Sequence, residues 1–551
     1  MDKVEQVFSR FLEDEEKIEY PDFDAMWDRL EPNLPKTDSK LLNADRAVSN
    51  HRYGRKVVIF AGLAALLVAT PVFAAIKNNW DHLFAYHSGI QSALEQGLGQ
   101  SFEKSVTHEG ITLTVHTGVV DDNRTVLLYS LSSKEGLKPS FRFAKMQITD
   151  VKGGIIDVRQ VQSWDAATRT LNGYFETEWT PDGLEADIRF TAKNLQSYSE
   201  VEQVLKFNPF DGQTGVYPVE KDGIQQITLQ PFVQGEKMLL SSAVTYSQPE
   251  VRDWAFPRIA VYKGDVLEKE TGHGAFGTPG QHGEYVSQQF FKMTDLQAGP
   301  VTYKLLYTKE ERSVNEEWAY DLHLNKKQML SGTVKHALNV PAEEPIGAMV
   351  FKQMIVTPTQ IRLKASHEKY VRFPYLNYSL DVNGTILNGG LWYDRDEDPE
   401  EATFRFELPP GVHVTEQTPI TFIAKHEVVE HKDAKDPIRL TNISEEKKKI
   451  TTQVGGYPVT WTYYKQDGHL FVQSESEDPS FGGINQTYMV SGAHAGPGKQ
   501  VTANFRGDGN NQAIDKYENY EGTEAELYIY WYYTENPDKT NRIPLISPDQ
   551  K

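Results

Sequence analysis

Twenty consecutive uncharged residues, VVIFAGLAALLVATPVFAAI from Val57 to Ile76, constrain this 551-residue chain more than anything else in it. At the α-helical rise per residue such a run is about 30 Å long, the depth of a bilayer's hydrocarbon core. It predicts one membrane-spanning helix. Arg46, Arg52, Arg55 and Lys56 crowd its N-terminal side, whereas Lys77 stands alone before Asp81 on the other. The positive-inside rule then predicts a cytoplasmic N-terminus, with residues 77–551 outside the cell. The competing reading is a secretory signal peptide cut after Val72-Phe73-Ala74. The mostly acidic stretch ahead of the run is unlike the short basic start of such a peptide. Thr70-Pro71 weakens the helix near its outer end and marks a candidate region for intramembrane cleavage.

Inside the membrane, residues 1–40 hold 12 acidic and 6 basic side chains, too few residues to build a core of their own. Val4, Val7, Phe8, Phe11 and Leu12 follow the i, i+3, i+4, i+7, i+8 spacing of one apolar helix face. Pro21 ends that element and Asp22 caps a second. There Phe23, Met26, Trp27 and Leu30 repeat the spacing before Pro32. Helices this short need a surface to cover their apolar faces. The acidic surroundings argue against an anionic leaflet and for a protein partner with apolar grooves and a basic surface, a character that DNA-binding proteins have. The plain alternative is an inert tail whose two helices cover each other.

The rest of the chain is predicted to be mainly β. It has no cysteine, which excludes disulfide frameworks, thiolate metal sites and cysteine nucleophiles. A formal charge of -20 without any basic stripe outside the membrane argues against direct nucleic-acid binding. Four units are legible. They open on EGITLTVHTGVVDDNRTVLLYS from Glu109, DGIQQITLQPFVQGEKMLLSSAV from Asp222, GAMVFKQMIVTPTQIRLKAS from Gly347 and KKITTQVGGYPVTWTYYKQDGHLFVQS from Lys448. They close on runs from Ala186, Val301, Ile420 and Ala525, each read as an alternating strand, a polar loop and another strand. With further short β-like runs between, each unit has the size of an immunoglobulin-like sandwich. The expected organisation is a cytoplasmic segment at 1–56, the spanning helix at 57–76 and a stalk at 77–107. Beyond it come tandem β-sandwich modules at 108–210, 211–335, 336–445 (immunoglobulin-like) and 446–551. Within the stalk, SGIQSALEQGLGQ from Ser88 has the makings of a short helix.

Catalytic signatures are absent: there is no GxSxG elbow, HExxH pair, Walker loop or GxGxxG before a helix, so no enzyme and no cofactor is expected. No metal site is expected either. His273, His282 and Glu284 lie in a Gly-rich stretch without fixed spacing and read as solvated. Asp394, Asp396 and Asp398 begin like a calcium loop, but Pro399 and Arg405 stand where Gly and Glu are needed. Arg506-Gly507-Asp508 reads as a turn, and the sequons at Asn123 and Asn485 mean nothing if the source is bacterial.

Three stretches carry a resemblance: PDFDAMWDRLE from Pro21, the spanning run followed by EGITLTVHTGVVDDNRTVLLYS, and WAYDLHLN from Trp318 leading to VTPTQIRLKAS from Val356. They resemble Gram-positive single-pass proteins encoded beside extracytoplasmic-function sigma factors, with an anti-sigma segment inside and a domain of unknown function outside, followed by immunoglobulin-like modules. The resemblance implies a membrane-anchored transcription regulator that holds a sigma factor until an external signal frees it. The external ligand is unknown. This chain lacks the His and Cys of the zinc-binding anti-sigma fold, and its inner segment is shorter. The rival reading is a surface adhesin or wall-binding protein, with Tyr528, Tyr530, Trp531 and Tyr533 available to stack on sugars.

Overall fold

The computed structural model describes Trp80, residues 83–85 and residues 87–547, apart from short stretches at 135–136, 138–139, 235, 269, 271, 274–277, 280–283, 343–348, 368–372, 393–399, 491–494 and 503–510. The spanning run 57–76 lies outside the described residues. Among those that are described, no helix is long and apolar enough to cross a membrane. From Gln100 onward the chain is mainly β, arranged in five antiparallel sheets.

Local chemistry accounts for many of the hairpins. Asn383-Gly384 joins Tyr375–Val382 to Thr385–Trp392, and Asp467-Gly468 joins Tyr457–Gln466 to His469–Glu475. Both residues of each pair have positive φ, 48° and 92° in the first and 52° and 76° in the second. Such two-residue turns match the right-handed twist of the flanking strands.

Four strands are far longer than the rest: Glu185–Leu205, Thr302–Asn325, Ile420–Leu440 and Ala525–Ile546. They pair as two ribbons, the first strand with the second and the third with the fourth. These are the four closing runs, and the polar middle of each is continuous strand where the sequence suggests a loop. A strand of 21 residues reaches about 70 Å, several times the usual length, so one ribbon can line two cores. Polar residues occupy its middle because no core covers them there.

In the first ribbon Ile188, Phe190, Ala192, Trp318, Tyr320 and Leu322 line one core. Leu205, Tyr303, Leu305 and Tyr307 line a second. The buried positions change parity along the way, from even to odd between Ala192 and Leu195. Asn194 lies there with φ 53°, opposite the register shift between Val314 and Glu317. The extra residue shifts the alternation by one, and because Leu195 and Val314 beyond it still line the first core, the bulge keeps the same face of the ribbon turned to that core.

The first core is closed by a five-stranded sheet running Gln100–His108, Ile111–Val120, Thr125–Ser133, Thr170–Thr177, Arg159–Asp165 in spatial order. The second is closed by the sheet containing Ile224–Gln234, Lys237–Tyr246 and Tyr285–Lys292. Both are sandwich-like. The second ribbon belongs to a ten-stranded sheet that curls on itself. Phe351 meets Phe422 at 4.8 Å between ring centroids although four strands separate theirs in sheet order. That curl encloses the third core, and the ribbon's other end packs against the sheet from Lys448–Val454 to Lys499–Thr502 around the fourth.

The segment expected to be a stalk is integrated into this β-structure. Ser88–Glu95 is a helix, and Gln100–His108 forms the edge strand of the first sheet.

Candidate functional site

Two turns meet between the first and third cores, and both come from the stretches that carry the family resemblance. In VVDDNRTV, the turn after Ile111–Val120 is held by Asp121, whose Oδ1 accepts the amides of Asn123 at 2.7 Å and Arg124 at 3.0 Å. A short carboxylate at that position closes the turn in place of a backbone group. In VTPTQIRL, the amide of Thr357 donates to the carbonyl of Gln360 at 2.9 Å, and the amide of Gln360 donates back to Thr357 Oγ1 at 3.2 Å. Each turn both donates to and accepts from the other. Thr359 Oγ1 donates to Asp121 Oδ2 at 2.5 Å, and Asn123 Nδ2 reaches Thr357 Oγ1 and the carbonyl of Gln360, each at 3.3 Å.

Arg124 fills the centre, with its side chain only 2% exposed. Its two terminal nitrogens meet the two carboxylate oxygens of Glu407 at 2.8 Å each. Nε donates to Thr359 Oγ1 at 3.1 Å, Nη2 to the Thr359 carbonyl at 3.2 Å, and Nη1 to Glu176 Oε1 at 3.2 Å. The planar guanidinium fork suits this two-pronged arrangement and lysine does not. Burial opposes the Arg124 charge, but Glu407, with Glu176 and Asp121, holds its pKa above the ordinary value. Burial likewise opposes the Glu407 charge, and Arg124 and His87 overcome it, drawing that carboxyl down to about 2. Beside them Asp122 bridges Lys326 at 2.7 Å and Lys335 at 2.6 Å; these lysines outweigh its burial and lower its pKa.

The helix Ser88–Glu95 is part of this site. The amide of Gly89 donates to Glu407 Oε2 at 3.1 Å, and His87 Nδ1 lies 3.4 Å from Arg124 Nη1. A side chain at Gly89 has no room: a Cβ there would stand 1.6 Å from the Thr359 carbonyl oxygen. The helix buries Ile90, Ala93 and Leu94 with Trp80 and Phe84 against Val119, Val126, Leu128 and Tyr174 of the first sheet. Each fully buried aliphatic side chain contributes about 2 kcal/mol, which an isolated two-turn helix lacks.

Further out, Arg362 and Arg405 sit directly opposite each other on neighbouring strands. Burial and the Arg405 charge lower the Arg362 pKa to about 10. Glu178 from the first sheet pairs with Arg405, and the Trp392 ring lies between the guanidinium groups of Arg159 at 4.7 Å and Arg405 at 4.4 Å. These charges are held against one another across two cores, an arrangement suited to joining and parting rather than to proton transfer.

The residues singled out for partner binding, Val4, Val7, Phe8, Phe11, Leu12, Phe23, Met26, Trp27 and Leu30, lie outside the described residues, as do Thr70 and Pro71. So do Asp394, Asp396, Asp398, His282 and the Arg506–Asp508 turn. Asn123, met in the sequence only as a sequon, is fully buried in the junction. Of the closing-strand aromatics, Tyr533 is buried and Tyr530 is 51% exposed, in ring contact with Tyr488 and Trp531. Sequence reasoning missed Arg124, Glu407 and Gly89. For Arg124 the available signal was an arginine in a short turn between two strands rich in apolar residues.

A family model described as a domain of unknown function, DUF4179, matches residues 49–133. That stretch holds the spanning run, the helix Ser88–Glu95 and the Asp121–Arg124 turn. No curated protein matches this chain. A solved structure described as the conserved domain protein from Bacillus anthracis is similar at 10% identity, covering 59% of this chain and 93% of that one, with a TM-score of 0.17, too low to support any argument about fold.

Proposed function

We propose that this chain is a membrane-anchored regulator of the anti-sigma type, spanning the membrane once at 57–76. Its inner apolar faces hold a sigma factor, and its outer β-structure senses the state of the envelope. The observation that carries the reading is the seating of helix Ser88–Glu95, a short way beyond the spanning run, on an ion pair between two cores. A plain anchor needs no such attachment, whereas a reporter of outside events needs the domains to grip the chain close to the membrane. The DUF4179 match supports it by taking the spanning run and the helix as one unit. The immunoglobulin-like character of the units belongs to the same proposal and is supported by the sandwich-like cores, which share strands: Trp318 and Tyr320 line the first core, and Ile543 and Leu545 the third.

The test is affinity purification of the full chain from detergent-solubilised membranes. Recovery of a sigma factor is expected, and Phe11→Ala with Trp27→Ala abolishes it, since buried aromatic anchors are each worth more than about 1 kcal/mol. Failure to recover a sigma factor with the unaltered chain overturns the proposal. The adhesin reading rests on the exposed Tyr530 cluster; glycan binding that disappears in Tyr530→Ala and survives removal of residues 1–56 supports it instead.

A further inference from the structure

We propose that the junction around Arg124 and Glu407 is a releasable latch: the first and third cores part there while the second and fourth stay in contact, and parting frees the first turn of the helix Ser88–Glu95 from Glu407 and Thr359. Among the described residues, the contacts between the halves of the β-structure include two that differ in kind. Between the second and fourth cores the contact is apolar, built from Phe232, Leu239, Phe290, Tyr464, Phe471 and Ile514. Between the first and third it is ionic, through Arg124–Glu407, Arg405–Glu178 and Asp122–Lys335.

Apolar contacts gain from excluding water, so nothing is recovered when they open. Buried ion pairs repay little of their desolvation cost, and water re-solvates their charges on opening. The closed junction also carries specific costs. Nε of Arg362, Nε of Arg405 and Oδ1 of Asn123 are buried without a hydrogen-bond partner, and two arginines oppose each other in register. Opening relieves all of these, so the ionic contact is the weaker of the two.

Opening removes one of the helix's two attachments. Its Gly89 amide is bonded to Glu407 on the third core's side of the junction, while its apolar face lies on the first sheet. With eight residues it has little stability of its own, so once that bond and the fit against Thr359 are gone it is held by the first sheet alone and its first turn is released. Use of this release as a signal rests on the anti-sigma reading; the release itself does not.

Hydrogen exchange on the full chain in detergent micelles tests it. In Glu407→Gln the amides of residues 88–95 are expected to exchange at least ~10-fold faster, while those at the Phe232 and Phe471 contact are unchanged. The chain has no native thiol, so Asp122→Cys with Lys335→Cys, bridged by a short bis-maleimide, closes the latch chemically. Bridging is expected to return slow exchange to the Glu407→Gln chain. Unchanged exchange in Glu407→Gln, or loss of protection at the apolar contact first, overturns the latch. Should Glu407→Gln not fold, Arg405→Gln removes only the outer pair and is read the same way. Faster helix exchange with unaltered sigma-factor occupancy rejects the anti-sigma reading alone and leaves the latch standing.

Discussion

Arg124 and Glu407, 283 positions apart in the chain, meet as a two-pronged ion pair with both nitrogen–oxygen distances at 2.8 Å. The folded state holds Glu407 at about 2, below its ordinary 4.5. A depressed carboxyl stabilises the fold above its unfolded pKa, and that contribution is lost as pH falls through the folded one. The stability difference between the unaltered chain and Glu407→Gln is therefore expected to be full at pH 6 and to shrink between about pH 4.5 and pH 2. Its size at neutral pH is on the order of 3 kcal/mol. Urea unfolding across that pH range measures it, and a difference independent of pH refutes the assignment.

Gly89 marks the closest approach of the helix to the turn at Thr359. In Gly89→Ala the new methyl overlaps the Thr359 carbonyl, so the helix must lift off. Protection of residues 88–95 is expected to fall, together with the ring contact between Phe84 and Tyr174. Tyrosine fluorescence and hydrogen exchange report both. Gly89→Ala with an undisturbed helix contradicts the fit.

Trp318 lies in the strand Thr302–Asn325, which also serves the second core, yet its ring is fully buried in the first. Trp318→Ala is expected to cost about 3–5 kcal/mol and to loosen residues 111–131 before residues 224–246. A chain ending at Pro300 lacks Val314, Trp318, Tyr320, Leu322 and Leu324, and its first core should not close. Proteolysis of that fragment within the first sheet is the expected result; a resistant, folded first core would count against the shared ribbon.

Asn194 has φ 53° where the buried positions change parity. Asparagine and glycine accept that backbone, and β-branched residues do not. Asn194→Val is expected to destabilise by about 1–2 kcal/mol, and Asn194→Gly by less than half of that. Thermal melts of the two variants decide the matter, and equal losses would mean the parity switch does not depend on this residue.

Asp515 is buried in the fourth unit, where Oδ2 accepts the Thr487 amide at 2.7 Å and Oδ1 has no partner. Burial pushes its carboxyl up to about 7, against the hydrogen bonds from Thr487. With the folded pKa above the unfolded one, the folded state binds the proton more tightly. Stability then falls as pH rises from about 4 to 7 and is flat beyond. Asp515→Asn is expected to abolish that slope and to be the more stable chain at pH 8, by on the order of 4 kcal/mol. Melting curves at pH 5 and pH 8 provide the check.

Alternating strands, their hairpin turns and the short helix at Ser88 were legible from local pattern, because side-chain alternation and turn geometry are set by neighbouring residues. Ribbon continuity was not. The stretches 308–313 and 429–436 are as polar as loops because they cross between cores, and period-2 patterning breaks where a bulge adds a residue to one strand. The junction was half legible. Its two turns stand in stretches that resemble a known family, but the burial of Arg124, and the choice of carboxylate that pairs with it, depend on cores hundreds of residues apart coming together.

The sequence by itself determined that twenty residues match a bilayer's depth, that the flanking charges favour one direction, and that the long remainder of the chain is built of β-strands. Tertiary structure decided that the strand pairs are shared between cores, and that the helix Ser88–Glu95 is held by Glu407. The reason is physical: hydrophobic periodicity is written in adjacent residues, whereas a buried charge is stable only beside a partner that the whole fold must bring to it.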